Sequence, residues 1–440
     1  MPAKTSHPNS SKTLLPPTGL VWAIARKELL DHLLSVKFHV CVVAMAVLLG
    51  LSGFVMYRDY QLRMQNFSVM RERAKPRPAE SGFMVVVEPR LLSVFAKGLD
   101  EVMDRGYTVT ASYGIVAHDR QTSAVSLFAL FAPPDLLYIV KALLSLIALL
   151  FAYDMVSGEK ENGTLRLVLS SAVSRGQLAA GKLLGGLAAV ILPFLALFLA
   201  VLLMLVTRPT LALGSDELAR LALMLLAMLL YITLFFSLGV LVSALARSSS
   251  SALIILLFLW ATVVFAIPSV GNLIAEQIAP PPSAETQELL RRQAFVKNRF
   301  LAIQQNRSRA GSFEGFNQEY DRLVEDHRAR LEAMMDSSRS ICRISPAATL
   351  TYIFTDLAST GLAEQRRLTR ALMNYKSQNM KALTEINMRY VPAYSAFEFP
   401  PMRLGEVFRQ GVLTDFAILA LTSAALFTGA VVAFLRVDPR

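Results

Sequence analysis

Long apolar runs alternate with polar stretches along the chain, and the run lengths set the architecture. Six blocks are apolar over about 20 residues each, the length that crosses a hydrocarbon core as a helix. They are residues 38–56, 135–153, 183–206, 221–246, 250–268 and 412–436. Ahead of the first, "LVWAIARKELLDHLLSVK" places Trp22, Ala25, Leu29 and Leu33 on one helical face, with Lys27, Glu28, Asp31 and His32 opposite. That pattern predicts an interfacial helix over 19–37, with Trp22, Leu29 and Leu33 as its membrane-interface residues. Residues 1–18 are rich in Ser, Pro and Thr and read as a disordered tail, and 437–440 as a second short tail. The fold class expected is an α-helical polytopic membrane protein with six transmembrane helices, one mixed α/β extracytoplasmic domain and one mainly helical one.

The first of these domains is 57–134. "FMVVVEP" and "YTVTASYG" read as strands. Between them "RLLSVFAKGLDEVMDRG" carries Leu91, Leu92, Phe95, Leu99 and Met103 at helical spacing and reads as one helix closed by Gly106. The second is 269–411. Two charged helical segments flank Gly311 to Gly315 and suggest an antiparallel pair. "ISPAATLTYIFTDLASTG" brings Leu350, Ile353, Phe354 and Leu357 onto one side, a face suited to the membrane surface or a partner subunit.

Charge orients this scheme. The chain is 54% hydrophobic, 18% charged and carries a net +11, with acids interspersed among the bases. The excess suits loops of a membrane protein better than nucleic acid. Arg26, Lys27, Lys37, Lys160, Arg166, Arg175, Lys182, Arg247, Arg436 and Arg440 fall on one set of connections, which puts both termini in the cytosol. Cys41 and Cys342 lie in unlike surroundings and have no metal spacing; no metal ligands are expected. Lys141, inside the second block, reads as a snorkelling side chain. No paired carboxylates mark a membrane block, which disfavours a secondary carrier.

The stretch 154–182 holds the chemistry worth weighing. Gly176 to Leu183 nearly matches a phosphate-binding loop, but Leu183 stands where that loop needs the Ser or Thr that binds magnesium. ATP hydrolysis by this chain is therefore not expected. The rest of the stretch runs Ser157-Gly158-Glu159-Lys160-Glu161-Asn162-Gly163-Thr164-Leu165, then Ser170 to Arg175, then Gly181-Lys182. It resembles the signature of ABC-2 type transporter permeases, in the branch with large insertions after helices one and five. Ala172 stands where that family commonly has proline. The resemblance implies a dimer with an identical or related second permease, and a cytosolic ABC ATPase dimer. ATP and magnesium would then be cofactors of that partner and not of this chain. It further implies a coupling helix whose ATPase contacts are Glu159, Glu161, Gly163, Thr164, Leu165 and Arg175. Localisation would be the bacterial inner membrane, in contact with lipid, and the activity export. The alternative is a mechanical envelope-assembly complex that grips an envelope protein through the outside domains.

Overall fold

The computed structural model describes residues 17–74, 82–103, 106–110, 114–117, 135–164, 167, 170, 173–208, 213–278, 280, 289, 292–293, 296, 300, 309–385 and 395–437. Of the tails expected over 1–18 and 437–440, residues 1–16 and 438–440 lie outside the described residues, while Pro17 and Thr18 already belong to the first helix.

Six helices are long and apolar enough to span a membrane. After α1 (Pro17–Leu33), α2 runs Val36–Arg73. The second span, α4, joins Leu136–Tyr138, a π-helical turn Ile139–Leu144 and Ser145–Ala152. A five-residue helix, α5 (Ser157–Glu161), follows it. Then come α6 (Arg175–Val206), α7 (Ser215–Leu245), α8 (Ser249–Ile278) and, as the last span, α13 (Leu404–Leu435). Each predicted block falls inside or beside one of these, and every span but α4 extends past its apolar block at one end or both. The reason is local. α6 starts eight residues early because Ser174 and Gln177 close a capping box at its N-terminus. α2 has 38 residues. At 1.5 Å per residue that is about 57 Å, roughly twice the hydrocarbon thickness, so its second half stands clear of the bilayer.

The second and fourth spans form the centre of the bundle, with 61% and 56% of their apolar windows buried, against 11% for the fifth. The π-turn in α4 frees the Lys141 carbonyl, which accepts from Tyr231 Oη (2.9 Å) and Ser145 Oγ (2.7 Å). Trp260 Nε1 donates to the same Ser145 Oγ at 2.9 Å, tying α8 to α4. The Lys141 ammonium lies over the Tyr138 ring, toward the helix start, as snorkelling requires.

At the far end of the bundle from α1, β1 (Gly82–Val86), β2 (Gly106–Thr110) and β3 (Gly114–Ala117) form an antiparallel sheet in chain order. The single helix expected between the first two strands is absent. A 3-10 turn (Leu91–Val94) and α3 (Asp100–Met103) replace it. The break is Gly98, at φ +49°, where a Cβ would stand 2.7 Å from the Thr360 carbonyl. That carbonyl accepts from Leu99 N at 2.8 Å.

The second polar stretch begins with α9 (Arg309–Cys342), which passes through Gly311 and Gly315 without a break. The partner expected for it falls at 284–305, mostly outside the described residues. α9 returns antiparallel to the end of α8, with Cys342 Sγ donating to Pro268 O and Ser338 Oγ to Asn272 Oδ1. α10 (Pro346–Leu357), α11 (Leu362–Gln378) and α12 (Met380–Glu385) complete it. Leu350, Ile353, Phe354 and Leu357 are fully buried in this chain's own core. α10 packs between α7 and α13, not on a membrane surface or a partner. The two polar stretches also share one core. Phe83, Val85 and Val109 of the sheet pack with Leu368, Leu372 and Tyr375 of α11.

Candidate coupling site

α5 is too short to be stable by helix propensity, so its neighbours must hold it. They do so from every side. The Val156 and Ser157 amides donate to Ser243 Oγ at the end of α7, both at 3.1 Å. Lys160 Nζ reaches the Ala246 carbonyl at 3.3 Å. Just before α5, Asp154 pairs with Lys37 of α2 at 2.7 Å. Glu161 accepts from the Ser249 amide (3.1 Å) and hydroxyl (2.9 Å), capping the N-terminus of α8.

A further tether is an ion-pair bridge. Lys182 of α6, its side chain 4% exposed, pairs with Glu28 of α1 at 2.7 Å and with Glu159 of α5 at 2.8 Å. One ammonium therefore bridges three helices. It reaches α1 because Gly181 and Gly185 admit that helix closely. A Cβ on Gly181 would lie 2.6 Å from Ile24 Cβ, and one on Gly185 2.5 Å from the Ala25 carbonyl. Two glycines four apart on one face are a helix-packing device. The near-match to a phosphate loop is thus the first two turns of α6, and its second glycine and lysine serve packing and ion pairing.

This packing rotates α1 relative to the sequence reading. Glu28 and His32 face inward with Ala25, while Trp22 is 73% exposed. The expected face grouped Ala25 with Trp22 and set Glu28 opposite; the buried Lys182 beneath Glu28 is what reverses it. Leu29 packs against the bundle core and Leu33 is half-buried. Trp22, Leu30 and Leu34 form the exposed apolar stripe. His32 meets Phe151 at 5.3 Å between ring centroids, and burial holds its imidazole below the ordinary value despite Glu28 and Asp154 nearby.

Glu159, Glu161 and Arg175, three of the expected contacts, are thus engaged within the chain. Arg175 Nη1 donates to the Leu435 and Val437 carbonyls at 3.1 and 3.2 Å, fastening the start of α6 to the end of α13. Gly163 and Thr164 are exposed past the end of α5, Gly163 at φ +68°, a conformation other residues resist. Leu165 lies outside the described residues. Leu167, 72% exposed, extends the tip. Sequence reasoning missed Glu28 and Lys182 as a pair; the Gly-x3-Gly spacing at Gly181 and Gly185 was the available signal.

A helical bundle with six candidate spans, a helix packed at one end and a short helix knitted beneath it defines a polytopic α-helical membrane protein. The chain belongs to the ABC-2 family of transporter proteins, whose family model matches residues 22–438. It is also similar to a probable ABC transporter permease protein, NosY, of Pseudomonas aeruginosa, at 58% identity over 43 residues, 10% of this chain and 16% of that protein. The NosY of Stutzerimonas stutzeri matches at 54% over the same length and shares. The match spans about a sixth of the length of these relatives.

Proposed function

We propose that this permease couples ATP turnover on a separate ATPase pair to export from the cytosol of a bacterial cell across its inner membrane, with both termini and α5 on the cytosolic side. The observation that carries this reading is α5 itself. It is bonded to α6, α7 and α8 directly, to α2 through Asp154 just ahead of it and to α1 through Lys182, while its tip at Gly163, Thr164 and Leu167 is exposed. A force applied at the tip reaches five helices through short polar bonds instead of dissipating in a loop. Glu159, Glu161 and Arg175 act by holding the handle; Gly163, Thr164 and Leu165 form the ATPase contact. Lys37, Lys160, Arg175 and Lys182 fall on the short connections at this end, the distribution expected of a cytosolic side.

Glu161→Arg, or deletion of Gly163–Leu165, tests it in the permease reconstituted with its ATPase. Retained ATP hydrolysis with loss of ATP-dependent flux is expected; unchanged flux with the ATPase bound as usual refutes it. A mechanical reading, in which the lobe at the far end works on an envelope protein, draws on α2, a continuous rod from membrane to lobe. ATP-dependent release of such a partner without flux favours that version.

A further inference from the structure

A cavity of about 420 Å³ opens at the lobe end of the bundle, far from α5. Its size falls within the range of small-molecule sites, about 300–1,000 Å³. Asp336, Arg339 and Ser340 line it from the last turns of α9, Arg343 from the turn just after it, Arg366 and Arg370 from the first turns of α11, and Gln410 from the π-turn at the start of α13. Four arginines thus converge on one space from two helices, with Asp336 the lone carboxylate among the described lining residues.

These guanidiniums are held in place by acids set behind or beside the cavity, and the holding leaves donors over. Arg343 uses Nε on Asp415 Oδ1 at 2.6 Å. Arg339 uses Nη2 on Asp356 (2.7 Å) and Asp415, and its Nε is buried with no acceptor. Arg366 uses Nη2 on Asp336 Oδ1 at 2.7 Å, and its Nε is likewise buried without an acceptor. Arg370 makes one loose ion pair, 3.8 Å from Glu332. A guanidinium carries five N–H donors. Among the described residues most of these have no protein acceptor and are left for an anion or water.

We propose that this cavity is a binding site for a phosphate group. A planar carboxylate offers two oxygens to one or two forks; a tetrahedral phosphate accepts from several guanidiniums converging from different directions. Exposed apolar side chains flank the cavity. Ile344, next to Arg343, is 73% exposed, and Leu413, one turn past Gln410, is 58% exposed on a membrane span. A phosphate on a lipid headgroup and one in solution present the same group to these arginines. The site lies at the opposite end of the bundle from the coupling site and does not depend on ATPase coupling.

The test uses the full-length permease in nanodiscs of phosphatidylcholine alone, and in nanodiscs in which phosphatidylglycerol replaces part of the phosphatidylcholine. Native mass spectrometry counts retained phosphatidylglycerol, and calorimetry in phosphatidylcholine discs measures inorganic phosphate. Wild type retains phosphatidylglycerol if the source is lipid, or binds phosphate if it is soluble; either supports the site. Arg343→Gln with Arg370→Gln should weaken the observed binding at least about tenfold, since each lost charge-assisted bond weighs about that much. Arg330→Gln, on an exposed pair elsewhere in α9, should leave it unchanged. If the double variant is unstable, Arg370→Gln alone gives the readout, its guanidinium being 59% exposed. No binding of either probe by wild type, or equal binding by wild type and a folded cavity variant, overturns the proposal.

Discussion

Replacing Lys182 with methionine removes one ammonium and leaves two carboxylates, Glu28 and Glu159, facing each other across its former place. Breaking a fully buried ion pair by deleting one partner costs about 3–5 kcal/mol. Here the acids keep some solvent, 13% and 22% of their side chains exposed, and part of the loss is recovered by water. A cost of about 2–3 kcal/mol follows, and it falls on the docking of α1 and α5 rather than on the spans. Expressed as an opening equilibrium, that is a roughly 30- to 150-fold increase in the undocked fraction. Amide hydrogen exchange of α1 in detergent reads it directly: protection over Ile24–Leu33 should fall by that factor while the centre of α7 keeps its protection. Lys182→Met combined with Glu28→Gln removes one of the two opposed charges and should recover part of the loss, a non-additivity that only contacting residues show. Unchanged α1 protection in Lys182→Met, or strictly additive effects in the pair, would refute the three-helix bridge.

Other expectations rest on packing and titration. Gly185→Leu drives a side chain into the Ala25 backbone and should displace α1 by overpacking, at a cost of at least about 1–3 kcal/mol; cysteine cross-linking between α1 and α6 would show lost proximity, and full cross-linking would contradict the close approach. His32 titrates lower in the folded protein than free, so its contribution is whole above about pH 6.5 and is lost as the pH falls from there through the folded value. Thermal unfolding should therefore fall more steeply between about pH 7 and about pH 5.5 in wild type than in His32→Gln; identical profiles would remove His32 as the cause. Gly98→Ala places a Cβ at positive φ against the Thr360 carbonyl and should destabilise the join between the 3-10 turn and α10 by about 1–3 kcal/mol, visible as faster proteolysis of the lobe.

Much of the architecture is legible in one dimension because membrane burial is a property of consecutive residues. Six apolar runs, a helix preceding the first and a polar island after the second follow from run length and charge alone, and the family resemblance of the island agrees with the match over 22–438. Helix ends were less legible. Where α2 continues past Met56, polar residues replace apolar ones but helix formation does not stop, and hydropathy registers only the first change. Gly98 shows the converse: helical spacing from Leu91 to Met103 suggests one helix, while a single contact with Thr360, far along the chain, decides that there are two pieces.

What the sequence by itself determined, then, is the set of spans and the place of the polar island between the second and the third. Tertiary structure alone decided which face of α1 turns inward, because that depends on Lys182, 154 residues away from Glu28. It also decided that two separated polar stretches share a core, and that arginines of α9 and α11 surround one cavity. Periodicity records how each helix divides its own surface between polar and apolar. Which polar group meets which is set by the packing of helices distant in sequence, where a buried charge is tolerated only if its partner arrives with it.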